Sequence, residues 1–144
     1  MQGYPHLYVA SASAGNEGHV TVTGEGLPDL DTASPPQFDG PLGVWSPETL
    51  FSAAVADCFI LTFRAIARAS KFEWTSLECR AEGVLERPER VTFFTTFNVH
   101  AVLHVPAGAK IEIAQRLLEK AEDLCLITAS LKSEVVLTTD IQID

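Results

Sequence analysis

The chain has 144 residues, of which 47% are apolar, so it is long enough for one domain with a real core and leaves little room for a second. Its formal net charge is -9, and polyanions such as nucleic acid or an anionic membrane surface do not attract an acidic protein. We therefore predict a single domain over residues 1–144 that binds neither nucleic acid nor membrane.

The sequence shows no signal for export or for a membrane span. Its first residues have neither a basic start nor a sustained apolar core, which argues against a secretory signal. The most apolar run, Leu50 to Ile66, is interrupted by Asp57 and Arg64 and falls short of the roughly 20 residues that a span needs. We expect a soluble, cytoplasmic protein in which a reducing environment keeps the three cysteines as thiols.

A β-hairpin and a long surface segment are predicted before the first helix. The runs His6 to Ala14 and His19 to Gly24 flank a cluster of turn-forming residues, and the second run alternates valine with threonine. Between Gly24 and Gly43 there is no apolar period, and the second half of this segment contains five prolines and glycines. Loops of this length in a small domain often border a functional site or a partner.

A helix is predicted from Ser46 to Lys71. Ser46 can accept a hydrogen bond from a first-turn amide, Pro47 loses nothing at the first helical position, and Glu48 complements the positive end of the helix dipole. A predicted apolar stripe comprises Phe51, Ala54, Cys58, Leu61 and Ala65. Cys58 therefore lies on the stripe, where a free cysteine is often only a small core residue.

The second half of the chain is predicted to contain three strands and a second helix. Alternating apolar and polar residues indicate strands at Trp74 to Glu86, Val91 to Val105 and Glu134 to Ile143. Cys79 lies on the inner face of the first of these and is interpreted as a core residue. Strands joined mostly by hairpins, with the helices on one side, predict an α+β fold.

The second predicted helix, Lys110 to Leu124, brings Cys125 to the end of its apolar face. Thr128 can then cap a short helical turn through Leu131. If the two helices pack together, the sulfurs of Cys58 and Cys125 could meet, and two thiols are the minimal equipment for a redox cycle. The periodicity permits this contact without requiring it.

The histidines give no metal signature, and the sequence predicts neither a metal nor another cofactor. His100 and His104 point outward from one predicted strand about 13 Å apart, too far to share a metal ion. His6 and His19 have no ligand-like spacing to a cysteine or an acid.

Several short motifs resemble the OsmC/Ohr family, named for osmotically inducible protein C and organic hydroperoxide resistance. They are the Ser-Pro-Glu-x-Leu-Phe run beginning at Ser46, the segment from Ala56 to Phe59, and the segment from Ala121 to Cys125 with the Ser130-Leu-Lys that follows. The resemblance extends from the N-terminal hairpin to the last strand. It implies antiparallel sheets wrapped around two central helices in an intertwined homodimer.

The resemblance also implies a function. Active members of the family are similar to thiol peroxidases that reduce organic hydroperoxides to alcohols. Carried onto this sequence, Cys58 becomes the peroxidatic residue and Cys125 the resolving residue, and a dithiol such as a lipoyl group on a protein reduces the resulting disulfide. The nearby apolar candidates for a substrate pocket are Trp45, Phe51, Phe59 and Phe38, and each of these is also an ordinary core residue.

The sequence departs from the family pattern at one important position. Relatives have an N-terminal arginine that supports the thiolate and is held by the glutamate that matches Glu48, but no lysine or arginine precedes Arg64 in this chain. Asp57 is expected to oppose ionisation of Cys58, and His19, Arg87 or Arg90 are candidates to replace the arginine. A second departure is Leu126, where many relatives have proline.

The missing arginine keeps a second interpretation open. The chain could be a non-catalytic relative that retains the dimer fold and binds a small apolar ligand or another protein, or a purely structural dimer with inert cysteines. Glu48 and Cys58 are separated by ten helical residues, about 15 Å along a straight helix. We therefore predict that a site containing both residues uses an intermediary or the glutamate of a partner subunit.

Overall fold

The computed structural model describes all residues, Met1–Asp144, and the chain divides into two units, Met1–Leu50 and Phe51–Asp144. The prediction of one domain over residues 1–144 stays a prediction. The first unit contains three short strands, β1 (Ser11–Ser13), β2 (Val20–Thr23) and β3 (Leu30–Thr32), in the order β1-β2-β3 with antiparallel pairing.

The predicted hairpin is confirmed as β1 and β2, although β1 is much shorter than the predicted run. The segment from Gly24 to Gly43 was expected to lack regular structure, and this is wrong in part because β3 pairs along β2 and residues Pro36–Phe38 form a 3-10 helix. Three residues are too few to produce a recognisable apolar period, so pairing with β2, not local pattern, creates this strand.

The second unit contains most of α1 (Pro47–Ala69) and all of the later elements. They are β4 (Ser76–Glu86), β5 (Phe93–Val105), α2 (Ile111–Leu124), α3 (Leu126–Ala129) and β6 (Glu134–Ile143), with a 3-10 helix at Pro88–Arg90. The predicted helices and strands are therefore present within a few residues of their expected bounds. The short helical turn is the exception, because α3 begins at Leu126, two residues before the predicted cap Thr128.

The second sheet has the strand order β4-β5-β6. β4 and β5 pair antiparallel, with Cys79 opposite Ala101, whereas β5 and β6 pair parallel, with Leu103 opposite Ile141. The second sheet is therefore mixed, with one parallel pair added to the antiparallel pairing that the family resemblance implies. β6 follows β5 through α2, and a helical crossover returns the chain to the end from which β5 started, which makes the two strands parallel.

One hydrophobic core joins α1, β5 and α2. Its fully buried members include Phe59 and Phe63 from α1, Phe97 and Leu103 from β5, and Leu118 from α2. The inner faces of the strands alternate as predicted. The architecture is α+β, as the sequence predicts.

The predicted stripe of α1 needs correction. The face that enters the core consists of Val55, Phe59, Phe63, Ile66 and Ala67. Leu61 and Ala65, which were expected on the buried stripe, are exposed, and Cys58 is half-buried between the two faces. α1 is apolar on more than one side, so a single stripe does not describe it.

α1 is also longer than the apolar run recognised in the sequence. With 23 residues it is long and apolar enough, by length and composition alone, to cross a membrane, although the apolar run from Leu50 to Ile66 within it is shorter. A single helix of this kind is weak evidence for a membrane, because core helices pass the same test. One of its faces lies in the protein core.

Candidate functional site

Ser46 begins α1 as the sequence predicts. Its hydroxyl oxygen accepts a hydrogen bond from the Thr49 amide at 3.1 Å, and its side chain is 1% exposed. The cap fixes where the helix starts, and α1 then continues without a break to Ala69. Cys58 consequently lies in the middle of a regular helix, where the helix dipole contributes little to its ionisation.

Cys125 lies at the junction of α2 and α3. It ends α2, where its amide bonds to the Glu122 carbonyl, and it also precedes the first residue of α3. Its carbonyl accepts hydrogen bonds from the Ala129 amide and the Thr128 hydroxyl, and its side chain is 1% exposed. The resolving candidate is thus held rigidly within the core.

The structure brings the Cys58 and Cys125 side chains together. Both are free thiols, and Cys125 lies close enough to Cys58 to help lower the pKa of the Cys58 thiol. The Thr62 hydroxyl, one helical turn after Cys58, lies 3.8 Å from the same sulfur. The contact that the periodicity only permitted is therefore present within one chain.

Two backbone amides complete the surroundings of Cys58. The amides of Ile127 and Leu126 act on its sulfur as donors, and both lower the pKa of its thiol. These amides belong to the first turn of α3, where a helix has no internal partner for its amides. The sequence pattern does not predict these donors, because it places the cap of the turn at Thr128, whereas Cys125 is the cap of α3.

These neighbours control the ionisation of Cys58. Burial acts to raise the pKa of its thiol, but hydrogen bonds from the Ile127 amide, the Cys125 thiol, the Thr62 hydroxyl and the Leu126 amide outweigh it, and the pKa falls below its ordinary value. All of these donors are neutral. Asp57, which was expected to oppose ionisation, is exposed and is not among the groups that shift this pKa.

The other two cysteines are shifted in the opposite direction. Burial raises the pKa of Cys125, the hydrogen bonds from Thr128 act against it, and the neighbouring Cys58 adds to the increase. Burial raises the pKa of Cys79 to about 11. The pair therefore consists of one thiol whose pKa is lowered and one whose pKa is raised, which is the division that a nucleophile and its proton-carrying partner require.

No candidate for the missing arginine forms an ion pair with another side chain. Arg87 and Arg90 flank the turn between β4 and β5 and are exposed, and Arg90 has a φ of 70°. His19 is exposed in the first unit. The salt bridges of the chain are Arg80 with Glu82 and His104 with Asp144.

The chain also has no group of three or more His, Cys, Asp or Glu side chains that could hold a metal ion.

The four pocket candidates lie in different surroundings. Phe51 stacks on Phe94 and Phe97 and lines a cavity of about 360 Å³ whose other walls include Ser130 to Ser133. Phe59 is 2% exposed and belongs to the core. The structure does not gather these two around one cavity, and their assignment to a substrate pocket stays a prediction.

The remaining candidates belong to the first unit. Trp45 is 48% exposed and lines a cavity of about 290 Å³ with Gly43 and Thr49. Phe38 and Glu48 line a second cavity of about 310 Å³. The Oε1 atom of Glu48 is buried without a hydrogen-bond partner. The roles of Trp45, Phe38 and Glu48 in a reaction also stay predictions.

The lowered pKa of Cys58 leads to a testable pH profile. At about pH 7, iodoacetamide should alkylate Cys58 faster than Cys79, whose pKa is raised to about 11. The rate at Cys58 should decline at a lower pH than that of an ordinary thiol, because its thiolate persists to lower pH. Peptide-resolved mass spectrometry would measure both rates.

The variant Leu126→Pro removes one amide donor, and proline is tolerated at a first helical position. The pH profile of Cys58 alkylation in this variant should therefore move to higher pH. An unchanged profile would remove the Leu126 amide from this account.

The fold and the site define an α+β protein in which two helices bring a pair of thiols together. A comparison with protein families agrees with the resemblance seen in the sequence. Residues 40–140 match the family model described as OsmC-like protein. This match spans well over half of the chain. The chain belongs to the OsmC-like family.

Individual relatives agree with this assignment. The uncharacterized protein YmaD of Bacillus subtilis (strain 168) is 25% identical over 140 residues, which cover 92% of this chain and 90% of YmaD. The structure of an OsmC-like protein of unknown function from Vibrio cholerae superposes with a TM-score of 0.84 at 18% identity, covering 94% of this chain and 99% of that one.

A further solved structure carries a functional description. It is an organic hydroperoxide resistance protein OsmC from Legionella pneumophila, also described as a predicted redox protein and regulator of sulfide bond formation. It is 28% identical to this chain, with a TM-score of 0.68, and the match covers 96% of this chain and 99% of that one. The resemblance recognised in the sequence is thus confirmed at the level of the family and its fold.

Proposed function

We propose that the protein is a cysteine-based peroxidase that reduces organic hydroperoxides. The observation that carries this proposal is the contact between Cys58, whose pKa is lowered by hydrogen bonds to its sulfur, and Cys125, whose pKa is raised. A thiolate is the form that attacks peroxides, and a protonated thiol beside it is placed to resolve the product. The similarity to an organic hydroperoxide resistance protein supports the choice of substrate class.

The reaction is written in two steps. The Cys58 thiolate attacks the distal oxygen of ROOH, the O–O bond breaks, and the products are a Cys58 sulfenic acid and an alkoxide that takes a proton to become the alcohol. The Cys125 sulfur then attacks the sulfenic sulfur, the S–O bond breaks, and water leaves as the Cys58–Cys125 disulfide forms. The protein has lost two electrons, and the hydroperoxide has gained them.

An external dithiol closes the cycle. It attacks the disulfide, forms a mixed disulfide and then its own internal disulfide, and both protein thiols are restored. A lipoyl group on a protein is the reductant that the family resemblance implies, and no other cofactor is needed. In this role the protein acts as an antioxidant in the stress response.

Neutral donors take the place of the family's arginine in this proposal. Leu126 is important because proline, which many relatives have at this position, carries no amide hydrogen and could not bond to the Cys58 sulfur. The amides of Leu126 and Ile127 together supply two donors fixed by the backbone. Phe51 is on the same helix as Cys58, and the cavity that it lines offers an apolar surface to the R group of the hydroperoxide.

We further propose that the protein is a cytoplasmic homodimer. Leu61 is 51% exposed and Phe51 is 39% exposed, although both belong to α1, which also contributes to the core. Covering such an apolar face with the same helix of a second copy is the arrangement that the family resemblance implies. The charges of Asp57, Arg64 and Arg68 on this helix favour a water-soluble protein over a membrane span.

A stoichiometric titration tests the reaction. The reduced protein is mixed with one equivalent of cumene hydroperoxide, and we expect two of its three thiols to be lost. Intact mass should decrease by two hydrogen atoms, and peptide mapping should identify the Cys58–Cys125 bridge, with Cys79 still free. Treatment with dihydrolipoamide should then restore both thiols.

Unchanged thiols over several hours, with the hydroperoxide still present, would contradict the peroxidase. That result would favour the non-catalytic interpretation, in which the dimer binds a small apolar ligand or a protein. A bridge that included Cys79 would instead contradict the assignment of Cys125 as the resolving residue.

A further inference from the structure

A cavity in the first unit contains an unusual combination of groups. It has a volume of about 310 Å³, which is within the lower range of small-molecule sites, and its walls are mostly apolar. Val20 and Val22 of β2, Phe38 and Pro47 contribute to these walls. Glu48 is the acidic residue that lines it.

The carboxylate of Glu48 is incompletely satisfied. Its Oε1 atom is buried and has no hydrogen-bond partner anywhere in the chain. The nearby polar groups of the helix cap are already paired, because the Ser46 hydroxyl bonds to the Thr49 hydroxyl at 2.6 Å and accepts from the Thr49 amide. A buried carboxylate oxygen without a donor is costly, and the Glu48 side chain also lines the cavity, so it can take a donor from a molecule bound there.

The first unit contains no lysine or arginine that could pair with Glu48. Residues 1–50 contain six aspartates and glutamates and neither lysine nor arginine. His19 is exposed, and His6 bonds to the Gln2 carbonyl and the Tyr8 hydroxyl. The unit therefore has a strongly negative charge, which raises the local concentration of cations and disfavours anions.

We propose that this cavity binds a small organic cation, with its ammonium group on Glu48 and its apolar body against Val20, Val22 and Phe38. An apolar wall with one unpaired carboxylate complements a molecule that has a hydrophobic body and one positively charged donor at its end. A purely apolar ligand leaves the carboxylate unpaired, and an anion is repelled. This binding requires no thiol chemistry and goes beyond the proposed peroxidase activity.

Benzylamine, which is cationic at neutral pH, is a suitable probe, and benzyl alcohol is its neutral counterpart. In NMR titrations of the full chain, benzylamine should shift the methyl signals of Val20 and Val22 saturably. A charged hydrogen bond lost in the alcohol should weaken binding about tenfold or more. Because neither compound is a peroxide, the result is independent of whether the thiols react.

Matched variants identify the group that is recognised. Glu48→Gln should lower benzylamine affinity about tenfold or more, to the level of benzyl alcohol. Glu25→Gln removes the same charge from an exposed position that does not line the cavity, and it should bind benzylamine as the unaltered protein does. Circular dichroism would verify that both variants fold.

Two results would overturn the proposal. One is equal affinity for benzylamine and benzyl alcohol in the unaltered protein, which needs no variant to fold. The other is the absence of shifts at Val20 and Val22. If that absence accompanied a change of oligomeric state in Glu48→Gln, a second copy of the chain would be the occupant of the cavity in place of a small cation.

Discussion

Replacing Cys58 with serine is expected to reduce the turnover of organic hydroperoxide to the uncatalysed background, a loss of roughly 10³-fold or more. A serine hydroxyl stays protonated beside the same donors and is a poor nucleophile towards peroxide oxygen. The rate of cumene hydroperoxide consumption, with dihydrolipoamide as the reductant, would measure the effect. Serine is close to cysteine in size, and Cys58 is only half-buried, so the fold should survive.

Serine variants of the other two cysteines are the controls for this experiment, and each should have a different effect on turnover. Cys79→Ser removes a thiol whose pKa is raised to about 11, and it should keep most of the activity. Cys125→Ser should still consume one equivalent of hydroperoxide but stop at a Cys58 sulfenic acid, which dimedone would trap. Sustained turnover by Cys58→Ser would refute the assignment of Cys58 as the peroxidatic residue.

The part of the site that the sequence predicts is the part that depends on local signals. Ser46 caps α1 as expected, because a serine followed by proline and glutamate is a strong start signal. Apolar spacing brought both Cys58 and Cys125 to helix faces that can meet. Their actual contact depends on how α1 and α2 pack, and no single helical period contains that information.

The donors to Cys58 were less predictable. Thr62 could have been recognised, because residues four apart lie on the same side of a helix. The amides of Leu126 and Ile127 depend on the position where α3 begins, and Cys125 has no side-chain cap that marks it. A leucine instead of a proline at position 126 adds an amide hydrogen, and a pattern of side chains does not show this consequence.

The errors in the fold have a similar origin. The alternation of β6 gives its two faces correctly but not its direction, which is set by the crossover through α2. β3 is only three residues long and depends on pairing with β2. In α1, the apolar side chains cover more than one face, so the sequence did not distinguish the face buried in this chain from the exposed one.

A large loss of stability is expected from a substitution on the buried face of α1. Phe63 is fully buried, with its ring 5.3 Å from that of Trp74 in an edge-to-face arrangement, and Phe63→Ala should lower the free energy of unfolding. We expect a loss of about 3–5 kcal/mol, from the lost apolar contacts and the cavity left behind. Urea unfolding followed by tryptophan fluorescence would measure it, because the emission of Trp74 changes when its surroundings are exposed.

Leu61→Ala is the matched variant on the exposed face of the same helix. Within one chain it removes little buried surface, so its cost should be below about 0.5 kcal/mol in the dissociated protein. If a second copy covers this face, the cost should increase with protein concentration, because association then adds to stability. The Phe63→Ala loss should instead be present at every concentration. Equal, concentration-independent losses in both variants would show that α1 does not present one core face and one association face.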